Sequence, residues 1–163
     1  MLKEKEYRRE AALQYAKQWA LGRNPRYLDF EHMGGDCTNF ASQCIYAGSG
    51  VMNYTPVKGW YYNSGYDRTP SWTGVQYLYN FLVGNKSVGP YAVVTDEKGI
   101  QPGDIVQLGN GSWYYHSPVI VAVENGRIFL AAHSYDAYMR PLDSYQYEQA
   151  RFLHIKGVRV WGA

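Results

Sequence analysis

The sequence predicts an α+β fold, with N-terminal helices packed on a mainly antiparallel sheet. Three observations carry this. In the first half, apolar residues recur with the three-to-four-residue period of a helix. From Tyr91 onward the pattern changes to short runs of strand length bounded by turn residues. Asn125-Gly126, between two such runs, is a strong hairpin signal. Helices first and strands second argue for segregated layers rather than alternating units around a parallel sheet.

Each element has its own justification. Residues 4–21 read as an amphipathic helix, because Tyr7, Ala11, Tyr15 and Trp19 recur at every fourth position with Ala12, Ala16 and Ala20 beside them. Gly22 and Asn24-Pro25 end it. A loop closed by Gly34-Gly35 leads into a short helix over 36–47, capped by Gly48 and buried on the side that carries Cys37, Phe40, Cys44 and Ala47. From Ser49 to Trp72 the chain is rich in Gly, Tyr, Asn and Pro and has little periodicity. Long ordered loops of this kind are often binding loops. Residues 73–83 form a second amphipathic helix with Val75, Leu78, Tyr79 and Leu82 inward, stopped at Gly84-Asn85. Strands are expected over 91–95, over 105–108 after the Gln101-Pro102-Gly103-Asp104 turn, over 116–124 and 127–133 as a hairpin, and over 151–155 and 158–161. The chain has no internal repeat and no low-complexity tract.

Length and charge exclude several functions. The 163 residues suit one domain spanning 1–163, large enough to need no metal or disulfide staple. A net charge of +2 gives no electrostatic footprint for nucleic acid or an acidic membrane surface. No apolar run approaches the ~20 residues of a membrane span. The aromatic fraction is high, 17%, with 17 Tyr and 5 Trp. Such side chains suit peptide or sugar binding, and equally a Tyr-rich core. Met1 to Glu10 is charged and lacks the apolar stretch of a signal peptide. A domain excised from an exported or cell-wall-associated bacterial protein would look the same, so that location and the cytoplasm both stay open. Oligomeric state is not legible in the sequence.

The chemistry rests on cysteine and histidine. Cys37 and Cys44 are seven residues apart. On one helix that is about 10.5 Å at ~1.5 Å per residue, beyond the roughly 7 Å a disulfide can bridge. Cys37 stands where a Gly-Gly-Asp loop turns into a helix. The free N–H groups and partial positive charge there favour thiolate over thiol. Cys44, two turns on, reads as core. A two-residue turn at Asn125-Gly126 pairs Pro118 with His133 and puts His116 and His133 on one face of the hairpin as diagonal neighbours. That is the arrangement of a base oriented by a second polar group. Other readings are a functionless histidine pair, a zinc ion held by Cys37, His116 and His133, and a site that binds without turnover. His154 reads as structural.

The segment Gly35-Asp36-Cys37-Thr38-Asn39-Phe40-Ala41-Ser42-Gln43-Cys44 resembles the signature of the bacterial putative amidase domain family. These are papain-like cysteine amidases, distantly similar to NlpC-type and CHAP peptidoglycan hydrolases. Further resemblances follow in order: Glu10-Ala11-Ala12 to Tyr15-Ala16, Asn24-Pro25, Ser71-Trp72-Thr73, Pro102-Gly103-Asp104, His116-Ser117 and His133-Ser134-Tyr135-Asp136. They span nearly the whole chain, and the Asp-Cys-Thr-Asn-Phe block is the specific one. The resemblance implies a papain-like or NlpC-like fold, Cys37 as nucleophile, His116 as base, and His133 or Asp136 as the third member of a triad. His133 is favoured because it shares the face of His116. The resemblance also implies that Trp60, Trp72 and Trp113 grip a peptide or peptidoglycan-like substrate from rim loops, with Asp36 and Asn39 beside the nucleophile as further substrate contacts. It implies no cofactor and no metal. The family's Gln donor, six residues before the Cys, is replaced here by Glu31, leaving His32 and Asn39 as candidate oxyanion donors. An acyl transferase with transglutaminase-like chemistry and an inactive peptide- or glycan-binding module are the competing readings.

Overall fold

The computed structural model describes residues 1–162. The chain opens with strand β1 (Leu2–Lys5) and helix α1 (Arg9–Trp19), so the predicted first helix is shorter and preceded by a strand. Ala12, Ala16 and Ala20 are fully buried, while Tyr15 and Trp19 flank them half-buried. The small residues are the contact line, which lets α1 lie close to α2 (Cys37–Ser49). Helix α2 runs past Gly48 and stops at Gly50, whose φ is +71°. It is buried everywhere except at Tyr46 and Ala47, and not on one side only as expected. Its polar residues are tolerated because each is bonded: Ser42 to the Trp72 carbonyl, Asn39 to the Leu28 carbonyl.

The long aromatic segment is partly ordered as a small hairpin, β2 (Tyr62–Ser64) with β3 (Asp67–Arg68), followed by the short helix α3 (Pro70–Thr73). Trp60 and Trp72 are fully buried, with ring centroids 4.7 Å apart. Their indole N–H groups donate to Ser42 and Asn39 of α2. With both polar edges satisfied, the rings fill the core. Helix α4 (Val75–Gly84) follows with Leu78, Phe81 and Leu82 inward.

The remaining strands are β4 (Gly89–Thr95), β5 (Ile105–Gly109), β6 (Tyr114–His116), β7 (Val119–Glu124), β8 (Arg127–Ala132), β9 (Ala137–Pro141) and β10 (Gln149–Trp161). They form a curled antiparallel sheet in the order β1-β10-β5-β7-β8-β9, with β4 on the other edge of β10 and β6 on β5. Helices and sheet are therefore segregated as an α+β fold. The two expected C-terminal strands are one 13-residue strand with a bulge between Ile155 and Gly157. The Pro-Gly-Asp turn is anchored by Asp104, which is fully buried. Its carboxylate accepts from Arg9 of α1 and from the Gln101 and Ile155 backbone N–H groups, and lies 2.8 Å from His154 Nδ1. His154 is accordingly structural. Among the described residues no helix is long and apolar enough to cross a membrane.

The expected 116–124 strand is broken at Ser117-Pro118 into β6 and β7, which pair with different parts of β5. Register in the β7–β8 hairpin holds from Glu124↔Arg127 to Ala122↔Phe129, then slips by one at Val121. The next hairpin, β8–β9, turns at Ser134-Tyr135, both with positive φ, 62° and 63°. Two non-glycine residues in this conformation are strained, by roughly 1–3 kcal/mol each. Tyr135 is 91% exposed and loses little packing if removed. Tyr135→Gly is therefore expected to stabilise the chain by about 1 kcal/mol, once glycine's own entropic cost of ~0.5–1 kcal/mol is offset. Thermal unfolding checks this, and a lower melting temperature would contradict it.

Candidate active site

Cys37 is the first residue of α2. Gly34 and Gly35, with φ of 101° and 104°, reverse the chain just before it, a conformation other residues rarely adopt. His116 ends β6, opposite Leu108 of β5. The two elements are tied together at their bases. Thr38 Oγ1 donates to Ser117 Oγ over 3.2 Å, and Gln107 Nε2 reaches the same oxygen over 3.1 Å. Cys37 Sγ lies 3.9 Å from the Tyr115 carbonyl, next door to His116. Cys37 and His116 line one cleft of about 360 Å³, together with Gly34, Gly35, Arg140 and Tyr145. Cys44 is fully buried in the core and does not line it.

Both side chains are shifted toward their neutral forms. Burial pushes the Cys37 thiol above its ordinary range, overriding the helix start, and the Asp36 carboxylate pushes the same way. Burial pulls His116 down to about 4, with Arg140 adding to the effect. The easily ionised thiol expected from sequence is therefore not what the fold produces. Sγ lies 3.7 Å from Thr38 Oγ1 and 3.9 Å from the Tyr115 carbonyl, and the hydrogen bonds from Thr38 and the Ser117 backbone only partly offset the effect of burial. At neutral pH His116 is an unprotonated imidazole, the form that accepts a proton. Two measurements check this. The His116 ring should titrate near 4 by NMR. Alkylation of Cys37 should keep climbing above pH 9 instead of levelling off below ~8.5. The unfolded chain takes up the His116 proton near 6.5, so stability should fall as pH drops from 6.5 towards 4. His116→Gln should flatten that limb.

The His133-Ser134-Tyr135-Asp136 segment is placed differently from expectation. His133 is 1% exposed, and both ring nitrogens are taken. Nε2 donates to the Trp19 carbonyl at 2.9 Å, and Nδ1 lies 2.5 Å from Asp36 Oδ2. The ring also stacks on Phe40, centroids 4.2 Å apart. The Asp36 N–H donates to Ser134 Oγ. Asp136 is held by Arg23 at 2.7 Å. So this segment clamps the loop that presents Cys37 and does not touch His116. The broken strand at Ser117-Pro118 and the slip at Val121 remove the expected diagonal pairing. Among the described residues no side chain hydrogen-bonds either ring nitrogen of His116; its ring packs near Tyr145, centroids 5.9 Å apart.

The expected substrate contacts also change. Asp36 and Asn39 are each 1% exposed. Asp36 Oδ1 accepts from the Phe30 N–H and from Asn39, so both side chains brace the loop. Trp60 and Trp72 are in the core. Trp113 is 64% exposed on the turn leading into β6. Glu31 accepts from Ser134, and His32 is exposed away from the cleft lining. Among the described residues no three His, Cys, Asp or Glu side chains converge as a metal ion would need. Arg140 and Tyr145 were not legible in the sequence: Arg140 lies on β9, which carries no clear strand pattern, and both reach the cleft only through the β8–β9 pairing and the turn after it.

No solved structure matches the chain. The chain is 34% identical over 143 residues to the uncharacterized protein YhbB of Bacillus subtilis (strain 168), covering 83% of this chain and 44% of that one. It thus spans less than half the length of the relative it matches. The family model described as "Putative amidase domain" matches residues 6–156, which include Cys37, His116 and the clamp around Asp36. The chain belongs to that family.

Proposed function

We propose that this chain is a cysteine-dependent amide hydrolase of papain-like or NlpC-like type, acting on peptide amides such as those of bacterial cell-wall peptides. The observation that carries the reading is the placement of Cys37, at a helix start, and His116 in one cleft while the second thiol is buried elsewhere. His116 takes the Sγ proton as sulfur attacks the amide carbonyl. The developing oxyanion meets the Cys37 backbone N–H, one of the unpaired donors of the first helical turn. The C–N bond then breaks, and the leaving amine receives the proton from His116. A water molecule, deprotonated by His116, hydrolyses the thioester and frees the thiol. The chemistry needs two groups, with the clamp through His133 and Asp136 serving to hold Cys37 in place.

The test is to incubate the protein with peptidoglycan peptides, quench in acid and map masses. An acyl group on Cys37 and new free amine ends are expected. If added amine diverts the product to a new amide in place of the acid, the protein is an acyl transferase. Binding of peptide with neither acyl-enzyme nor cleavage would leave a binding module and end the hydrolase reading.

A further inference from the structure

Arg140 is the one charged side chain that lines the cleft among the described residues. No carboxylate pairs with it there among the described residues. It is nevertheless held in place. Its Nε donates to Ser144 Oγ at 2.9 Å and its Nη2 to the Ser144 carbonyl at 3.2 Å. Its guanidinium lies 3.8 Å from the Tyr145 ring centroid. A planar cation fixed by one edge and one face presents its remaining N–H groups to the cleft. The Tyr145 hydroxyl is buried beneath it, shielded from the cleft, with the Arg140 guanidinium as its charged neighbour.

We propose that Arg140, seated on the Tyr145 ring, forms a carboxylate subsite beside Cys37, so that the preferred substrate carries a free carboxylate next to the scissile amide. This rests on the cleft being the hydrolase site proposed above, but its test does not require turnover. A carboxylate there would offset the Arg140 charge beside His116. Charge-assisted bonds of this kind are about twice as strong as neutral ones.

The experiment compares alkylation of Cys37 by iodoacetate and by the neutral iodoacetamide at low salt and pH 9, each relative to N-acetylcysteine. Wild type should favour iodoacetate by about ten-fold over the free thiol. Arg140→Gln should abolish the preference, Arg140→Lys should keep part of it, and Tyr145→Phe, which keeps the stacked ring, should leave it in place. The ratio is insensitive to thiol reactivity, so a merely structural role would leave it unmoved. A wild-type ratio equal to that of N-acetylcysteine overturns the subsite, even if hydrolysis is found. An enhanced ratio without hydrolysis leaves the subsite and removes the hydrolase. If Cys37 resists both reagents, the His116 NMR titration decides: N-acetylglycine should raise it in wild type and not in Arg140→Gln, and no change in wild type overturns the subsite. Protection of Cys37 by N-acetylalanylglycine assigns the carboxylate to a chain terminus. Protection by the α-amide of N-acetylglutamate assigns it to a side chain.

Discussion

His116→Ala is expected to lower amide hydrolysis by about 10²–10⁴-fold, the span that general acid–base catalysis supplies. The size follows from the resting state. Burial keeps Cys37 as a thiol and His116 as a neutral imidazole, so no preformed thiolate survives the loss of the base. In the proposed mechanism the same ring serves as base for sulfur, acid for the leaving amine and base for water, so one deletion would remove three proton transfers. Cys37→Ala removes the nucleophile outright and should fall to the same floor. The double variant should be no worse than either single one, because groups that act as a unit are not additive. Steady-state rates of the three variants check this. A His116→Ala protein that keeps full rate would remove the Cys–His mechanism.

Asp36→Ala and His133→Ala should be the most destabilising single changes near the site, by about 3–5 kcal/mol each, because each strands a buried polar partner. Asp36 is the hub: its two oxygens meet the Phe30 N–H, Asn39 and His133, and its own N–H meets Ser134. Removing it frees the loop before Cys37 along with the ring of His133. In a chain of this size each kcal/mol moves the melting temperature by ~2–4 °C. Asp136→Ala, by contrast, breaks a half-exposed pair with Arg23 and should cost under about 1 kcal/mol. Calorimetry on the three variants separates a clamp from a catalytic orienter. Lost turnover with unchanged stability in His133→Ala would return that residue to the triad.

The α+β order, the helix that begins near Cys37 and the core position of Cys44 were legible because each depends on local pattern. Apolar period, turn residues and helix-end chemistry act over a few residues. The pairing of His116 with His133 was not, because it rests on a register that a bulge at Val121 and a break at Ser117-Pro118 shift. A one-residue slip turns every later side chain to the other face. Trp60 and Trp72 read as rim residues until Ser42 and Asn39 of α2 meet their indole N–H groups, a match between segments far apart in sequence. The short strand β9, which brings Arg140 to the cleft, has little pattern of its own and exists because β8 offers it an edge. The protonation state of Cys37 was the least legible of all. A helix start pulls its thiol down and burial pushes it up. Which of the two wins depends on what packs over the sulfur, and that is settled only when the sheet closes on α2.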